Sequence, residues 1–122
     1  MAFGASFLIA IVALIHVYIV VLEMVLWRTP RARAAFGTTP EFAEATLALA
    51  GNQGLYNGFL VAGLVVALVA GVTSTVGFAF AVFFLICVVV AGIYGAITVS
   101  PRILLVQSVP AGVGLALTLL AG

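Results

Sequence analysis

The sequence contains very little charge, with 6% charged residues and neither lysine nor aspartate among its 122 residues. A soluble domain carries about 25% charged residues, so this chain lacks the polar surface that would cover a core in water. Its net charge is +1, and no patch of basic residues alternates with aromatic ones. This excludes the electrostatic pattern of a nucleic-acid-binding protein, and we expect no nucleic-acid partner.

Cysteine and histidine are equally scarce, at one residue each, Cys87 and His16. A single cysteine excludes an internal disulfide and a Cys-x-x-Cys redox pair. One histidine, one nearby carboxylate and one distant cysteine do not supply the three protein ligands of a catalytic metal, so we predict no metal site. No serine has an acid–base partner nearby, and no catalytic residue is predicted. The cofactor stays open, since His16 could hold haem but no spacing requires it.

Apolar residues are abundant: 66% of the sequence is hydrophobic and the mean hydropathy is +1.47. A helix needs about 20 apolar residues to cross a bilayer, and the chain offers four such runs separated by short turns. We therefore predict an all-α integral membrane protein, one domain over residues 1–122, folded as an up-down bundle of four helices. The predicted spans are residues 2–27, 52–72, 76–99 and 103–121.

Residues 28–51 form the one sustained hydrophilic stretch. Within it, Thr38-Thr39-Pro40-Glu41 is typical of a helix start, with a threonine cap, a proline in the first turn and an early glutamate. The pattern predicts a short amphipathic helix over residues 40–50, lying in the membrane interface between spans 1 and 2.

The arginines predict the orientation in the membrane. In a bundle of four spans, the hydrophilic stretch and the turn at residues 100–102 lie on the same side, and this side carries all four arginines: Arg28, Arg31, Arg33 and Arg102. The opposite turn, residues 73–75, carries none. Because positive residues concentrate on the cytoplasmic side, we expect both termini to lie outside.

Small residues recur at a spacing of four on three of the spans, for example Gly54-x3-Gly58 and Gly92-x3-Ala96. Such ridges allow helix backbones to approach closely in lipid. They are compatible with packing inside one bundle and with a homodimer.

Two ionisable residues, His16 and Glu23, lie inside the first predicted span. An ionisable group in a membrane is costly, which makes each one a functional hypothesis. Their spacing of seven residues is close to two helical turns, so they share a face about 10 Å apart. Glu23 lies about 6 Å from Trp27, the aromatic residue that we expect at the interface.

Polar residues of the other spans fall at about the depth of Glu23 or nearer the cytoplasmic surface: Gln53, Tyr56, Asn57, Tyr94 and Gln107. Pro110 cannot donate a backbone hydrogen bond and frees a carbonyl nearby. We predict one polar pocket open to the cytoplasm. Structural alternatives remain: Glu23 could pair with an arginine or an asparagine, His16 could bond a carbonyl or Tyr94, and the amides could simply bridge helices.

Several motifs of the chain look like those of a known family: His16-Val17-Tyr18, Leu22-Glu23-Met24, Leu26-Trp27, Phe36-Gly37, Asn52-Gln53-Gly54-Leu55-Tyr56-Asn57-Gly58-Phe59, Gly92-Ile93-Tyr94-Gly95, Thr98, Gln107 and Pro110-Ala111. Over nearly its whole length the chain resembles these small bacterial four-helix membrane proteins, which are catalogued as a domain of unknown function. The resemblance implies four spans in a bacterial inner membrane and marks the shared residues, but it implies no activity.

Three hypotheses for function follow. In the first, the chain binds or transports a hydrophobic or cationic small molecule or a lipid, with Glu23 as counter-ion and proton site, His16 as a second titrating group and the other polar residues as lining. In the second, it is a structural or accessory subunit of the membrane. In the third, His16 and Glu23 act as an acid–base pair on a lipid substrate, so enzymatic activity stays open.

Overall fold

A computed structural model describes all residues, 1–122, and contains helices but no strand. The helices are α1 (Ala2–Met24), α2 (Pro30–Phe36), α3 (Pro40–Ala45), α4 (Leu47–Ala70), α5 (Thr75–Thr98), a π-helical segment (Leu104–Ser108) and α6 (Val109–Ala121). Four helices are long and apolar enough to cross a membrane: α1, α4, α5 and the continuous run Leu104–Ala121. The predicted all-α class is confirmed, with the four apolar helices of a multi-pass membrane protein.

The chain divides into two compact units. The first, called here the bundle unit, comprises Met1–Ile15 and Leu60–Gly122; the second, the loop unit, comprises His16–Phe59. In the bundle unit, parts of all four long helices share one apolar core. Its fully buried members include Ala5, Ile9, Leu64, Ala67, Ala81, Leu85, Val88 and Ala111.

The turn from α4 to α5 is built around two glycines of the bundle unit. Gly71 adopts a φ of 88°, a left-handed conformation that suits glycine. Ser74 caps α5, accepting a hydrogen bond from the Gly77 N–H at 2.9 Å and donating one to the Gly71 carbonyl at 2.8 Å. A Cβ at Gly77 would overlap the Gly71 carbonyl oxygen, so this tight turn requires glycine at both positions.

The start of the fourth span is wound as a π-helix over Leu104–Ser108. Pro110 lacks an N–H and therefore cannot donate the α-helical hydrogen bond to the turn before it. The wider π turn lies in the residues that directly precede this proline. The Ser108 hydroxyl donates to the Val89 carbonyl of α5 at 3.0 Å. A Cβ at Gly92 would overlap that hydroxyl, so α5 and the π turn pack closely through a glycine.

In the loop unit, α1 ends at Met24, whereas the sequence predicted a span up to residue 27. The following helix, α2, was not predicted, because Thr29-Pro30 was interpreted only as the end of a span. The same pair also begins a helix: the Thr29 hydroxyl accepts a hydrogen bond from the Ala32 N–H at 3.4 Å, and proline occupies the first helical position.

The interfacial helix predicted over residues 40–50 is shorter in the structure. Thr39 caps α3 as the sequence indicated, with its hydroxyl accepting from the Phe42 N–H at 3.1 Å. The helix stops at Thr46, whose φ of −109° and ψ of 12° leave the helical region. From Leu47 onward the chain is already α4, so the second span begins five residues before the predicted position 52.

We expect Gly77→Ala to destabilise the protein by about 1–3 kcal/mol. The new methyl group would overlap the Gly71 carbonyl oxygen, and a backbone atom cannot move aside as a flexible side chain can. Thermal unfolding in detergent, followed by circular dichroism, measures the loss. The matched control is Gly112→Ala, because a Cβ there meets no atom within 4 Å. Alanine should raise helix stability at that position by up to about 1 kcal/mol. Equal melting temperatures for the two variants would contradict the turn geometry.

Candidate functional site

The first turns of α4 present one face to α1 inside the loop unit. Ala50, Gly54 and Asn57 follow one another at spacings of four and three, which places them on the same side of the helix. Gly54 is buried, and a Cβ there would overlap the Met24 side chain and lie 3.2 Å from the Cβ of Glu23. The missing side chain therefore lets α4 approach the end of α1 closely. We call this contact the α1–α4 seam.

Glu23 lies in the seam with only 4% of its surface exposed. The Asn57 amide nitrogen donates a hydrogen bond to the Glu23 Oε1 at 2.7 Å. Of the partners that the sequence allowed, the structure thus selects asparagine. Arg28 instead forms the one salt bridge of the chain, with Glu44 at 3.2 Å. The buried carboxyl group has a neutral donor and no cationic partner.

His16 is completely buried and lies on α1, two turns before Glu23. By helical rise the two residues are about 10 Å apart along the same face. The burial of both residues agrees with the shared packed face that their spacing of seven predicts.

Trp27 forms the next layer of the seam beyond Glu23. It is 8% exposed and clusters with Ala43 and Ala50. The indole N–H donates to the Thr46 hydroxyl at 3.1 Å, and the ring packs against Phe36 with centroids 4.9 Å apart. The residues just after α1 are therefore fixed to Phe36 and Thr46, farther along the segment that leads to α4.

The arginines of the loop unit lie outside the seam. The Arg28–Glu44 pair is exposed, and such pairs contribute only about 0–1 kcal/mol. Arg31 is exposed and donates to the Tyr18 hydroxyl at 3.4 Å. This hydrogen bond raises the pKa of the Arg31 guanidinium above its ordinary value, so the group stays charged. Arg33 donates through Nε to the Arg28 carbonyl at 3.3 Å.

The remaining predicted site residues occupy other positions. Gln53 and Tyr56 are on α4 but exposed, Tyr56 by 67%, and so lie off the buried face. Tyr94, 70% exposed on α5, and Gln107, half-buried in the π turn, belong to the bundle unit. Among the predicted residues, the structure joins Glu23 and Asn57 directly.

Sequence reasoning missed two parts of the site, the Gly54–Met24 contact and the Thr46 partner of Trp27. The sequence signal for the Gly54–Met24 contact was the spacing of three between Gly54 and Asn57, which places these two residues on one face of α4. The sequence analysis instead named Gln53 with Asn57, at a spacing of four. The structure contains no group of three or more His, Cys, Asp or Glu side chains that could hold a metal ion.

Comparison with known families matches residues 10–119 to the family described as "Protein of unknown function (DUF1304)". The chain belongs to this family. The matched region contains both His16 and the α1–α4 seam. Neither a curated protein nor a solved structure matches the chain. Because the family description names no activity, function has to be argued from the site itself.

We expect Gly54→Val to open the α1–α4 seam and to destabilise the loop unit by about 1–3 kcal/mol, because the added side chain overlaps Met24. The fluorescence of Trp27, the only tryptophan, measures this as an earlier thermal transition and a red-shifted emission. Gly58→Val is the matched control on the same helix, where a Cβ meets no atom within 4 Å. The close approach of the two helices is disproved if both variants lower the transition equally.

Proposed function

We propose that this membrane protein binds a small lipophilic cation at Glu23, with Asn57 holding the carboxylate in position. The observation that carries the proposal is the burial of an acidic side chain beside a neutral amide, with no cationic side chain paired to it. Every other acidic residue of the chain, Glu41 and Glu44, belongs to the exposed surface of the connecting segment.

The energetic argument begins with the cost of a charge inside a span. An ionised side chain at the centre of a membrane helix costs about 2.5–3.5 kcal/mol on insertion scales, and the cost is smaller toward the end of the helix, where Glu23 lies. One hydrogen bond between membrane helices returns about 0.6 kcal/mol on average. The Asn57 amide therefore offsets part of the cost, and in the proposed site a proton or a bound cation neutralises the charge that is left.

The coordination capacity of the carboxylate supports the same conclusion. An ionised carboxylate offers about four lone-pair sites, and Asn57 occupies one of them. The groups of α4 that line this part of the seam are Gly54 and Asn57, and neither titrates. In the empty state a proton neutralises Glu23; when a cation binds, that proton leaves and the cation takes its place. Exchange of a cation for a proton is also the elementary step of a transporter.

His16 is proposed as a second titrating group for this exchange. Imidazole gains and loses protons at physiological pH, and His16 lies about two turns from Glu23 on the same helix. The lining roles of Gln53, Tyr56, Tyr94 and Gln107 stay predictions, since the site as proposed centres on Glu23 and Asn57.

The orientation in the membrane is part of the proposal. All four arginines lie in the segment between spans 1 and 2 or in the turn between spans 3 and 4, which is the same side in a four-span chain. The positive-inside bias supports a location in the bacterial inner membrane with this side facing the cytoplasm and both termini outside. The Glu23 site would then lie nearer the cytoplasmic surface.

A structural role is the second candidate, because the Glu23–Asn57 hydrogen bond also links α1 to α4. Here Glu23 would stay protonated and act as a packing residue. The two functions differ in one respect: a packing residue makes stability depend on the pair but gives no saturable affinity for a cation.

The test uses the full chain in nanodiscs, titrated with tetraphenylphosphonium, a lipophilic cation, and followed by Trp27 emission. We expect saturable binding that weakens by roughly tenfold or more in Glu23→Gln, which retains the size and hydrogen bonding of the side chain but loses its charge. Wild-type affinity should fall as the pH is lowered, because protons compete for Glu23. The variant should show a much weaker dependence, since only the proposed second group, His16, is left to titrate.

Glu44→Gln is the matched control, since Glu44 is exposed and pairs with Arg28. It should bind the cation as the wild type does. Equal affinity of the wild type and Glu23→Gln would exclude Glu23 as the counter-ion. No saturable binding to the wild type, together with a lower melting temperature for Glu23→Leu, which removes the hydrogen bond to Asn57, would establish the structural role instead.

A further inference from the structure

We propose that Arg31 and Tyr18 form a binding site for the phosphate of an anionic phospholipid on the outer surface of α1. This site is separate from Glu23 and does not depend on the proposed function. It rests on four observations: the position of the Arg31 side chain, the absence of an acidic residue beside it, the rigid backbone that carries it, and the apolar surface nearby.

The first observation is the position of the guanidinium. Arg31 belongs to α2, after the first span, yet its Nη1 donates to the hydroxyl of Tyr18 at 3.4 Å. Tyr18 lies six residues before the end of α1, or about 9 Å along the helix. Arg31 therefore folds back along the span instead of extending away from it. A guanidinium at this level of a membrane helix needs polar or charged partners, and an anion is the partner that also neutralises its charge.

The second observation is that the protein supplies no such anion. The tyrosine hydroxyl is neutral, and the only salt bridge of the chain joins Arg28 to Glu44. Glu23 is buried in the seam with Asn57. A guanidinium carries five donors in a planar fork, and Tyr18 accepts one of them. The remaining donors match the oxygens of a phosphate, which arginine binds in a bidentate manner.

The third observation is the rigidity of the support. Arg31 follows the first residue of α2, Pro30, and precedes Ala32, which is completely buried. The Thr29 cap fixes the start of the same helix. The backbone that carries Arg31 is thus held on both sides, so little conformational freedom is lost when a ligand binds.

The fourth observation is an apolar surface suited to an acyl chain. Tyr18 is 47% exposed, Val21 38% and Val25 74%, at spacings of three and four along the same side of the chain. On α1 itself, Val17 (43% exposed) and Leu14 (68%) continue this apolar side from Tyr18 toward the N-terminal part of the helix, which is the direction that an acyl chain takes from its headgroup into the bilayer. The charge favours an anionic lipid such as phosphatidylglycerol, because its headgroup has no cation that would compete with arginine for the phosphate.

The experiment is native mass spectrometry of the full chain, released from bilayers that contain equal amounts of phosphatidylglycerol and phosphatidylcholine with identical acyl chains. We expect the wild type to retain phosphatidylglycerol roughly fivefold more often than phosphatidylcholine. Arg31→Gln should lose this preference, and Tyr18→Phe should reduce it. Arg102→Gln is the matched control, an exposed arginine outside the site, and should keep it.

Trp27 emission checks that each variant is folded. If Arg31→Gln does not fold, Arg31→Lys replaces it: lysine keeps the charge but loses the planar fork, so the preference should still fall. Equal retention of both lipids by the wild type would overturn the site, as would an equal loss of preference in the Arg31 and Arg102 variants. Removal of the preference by millimolar inorganic phosphate would show a site for the free anion and overturn the assignment to a lipid.

Discussion

The burial of the Glu23 carboxyl group is the constraint on which the rest of the loop unit depends. A carboxyl group inside an apolar span needs a donor within about 3 Å, and such a donor has to come from another helix that packs very closely. Asn57 supplies the donor and Gly54, one turn earlier, supplies the close approach. The polar contact and the missing side chain are therefore two parts of one arrangement, since neither would be useful at this position without the other.

The sequence allowed part of this arrangement to be predicted. Hydropathy and helical rise place Glu23 inside the first span, at the level where the second span carries its amides. They do not decide which face of the second helix is buried. The spacing of four between Gln53 and Asn57 suggested that both residues face α1. In the structure the face that packs against α1 contains Ala50, Gly54 and Asn57, and Gln53 is exposed. That choice depends on the volume available beside Met24, which is a property of the packed pair of helices and not of either sequence segment alone.

The four apolar helices and the helix start at Thr39-Pro40 could be predicted because long apolar runs and helix caps are signals within a short stretch of sequence. The boundaries inside residues 24–50 could not. A Thr-Pro pair ends one helix and begins another equally well, and the break at Thr46 follows a tertiary contact: its hydroxyl accepts from Trp27 while donating to the Phe42 carbonyl. The Trp27 ring fixes the connecting segment, and this long-range contact leaves no mark in the local pattern.

The way each polar side chain is satisfied explains why Glu23 stands apart. Thr98 and Thr118 donate to carbonyls four residues earlier in their own helices, at 2.8 and 2.7 Å, and need no partner elsewhere. A carboxylate cannot do this, because it only accepts hydrogen bonds and the N–H groups of a helix interior are already used by the backbone. Glu23 must therefore obtain its donor from another element, and an asparagine brings no charge with it. We propose that a proton or a cation from outside the chain supplies the missing positive charge.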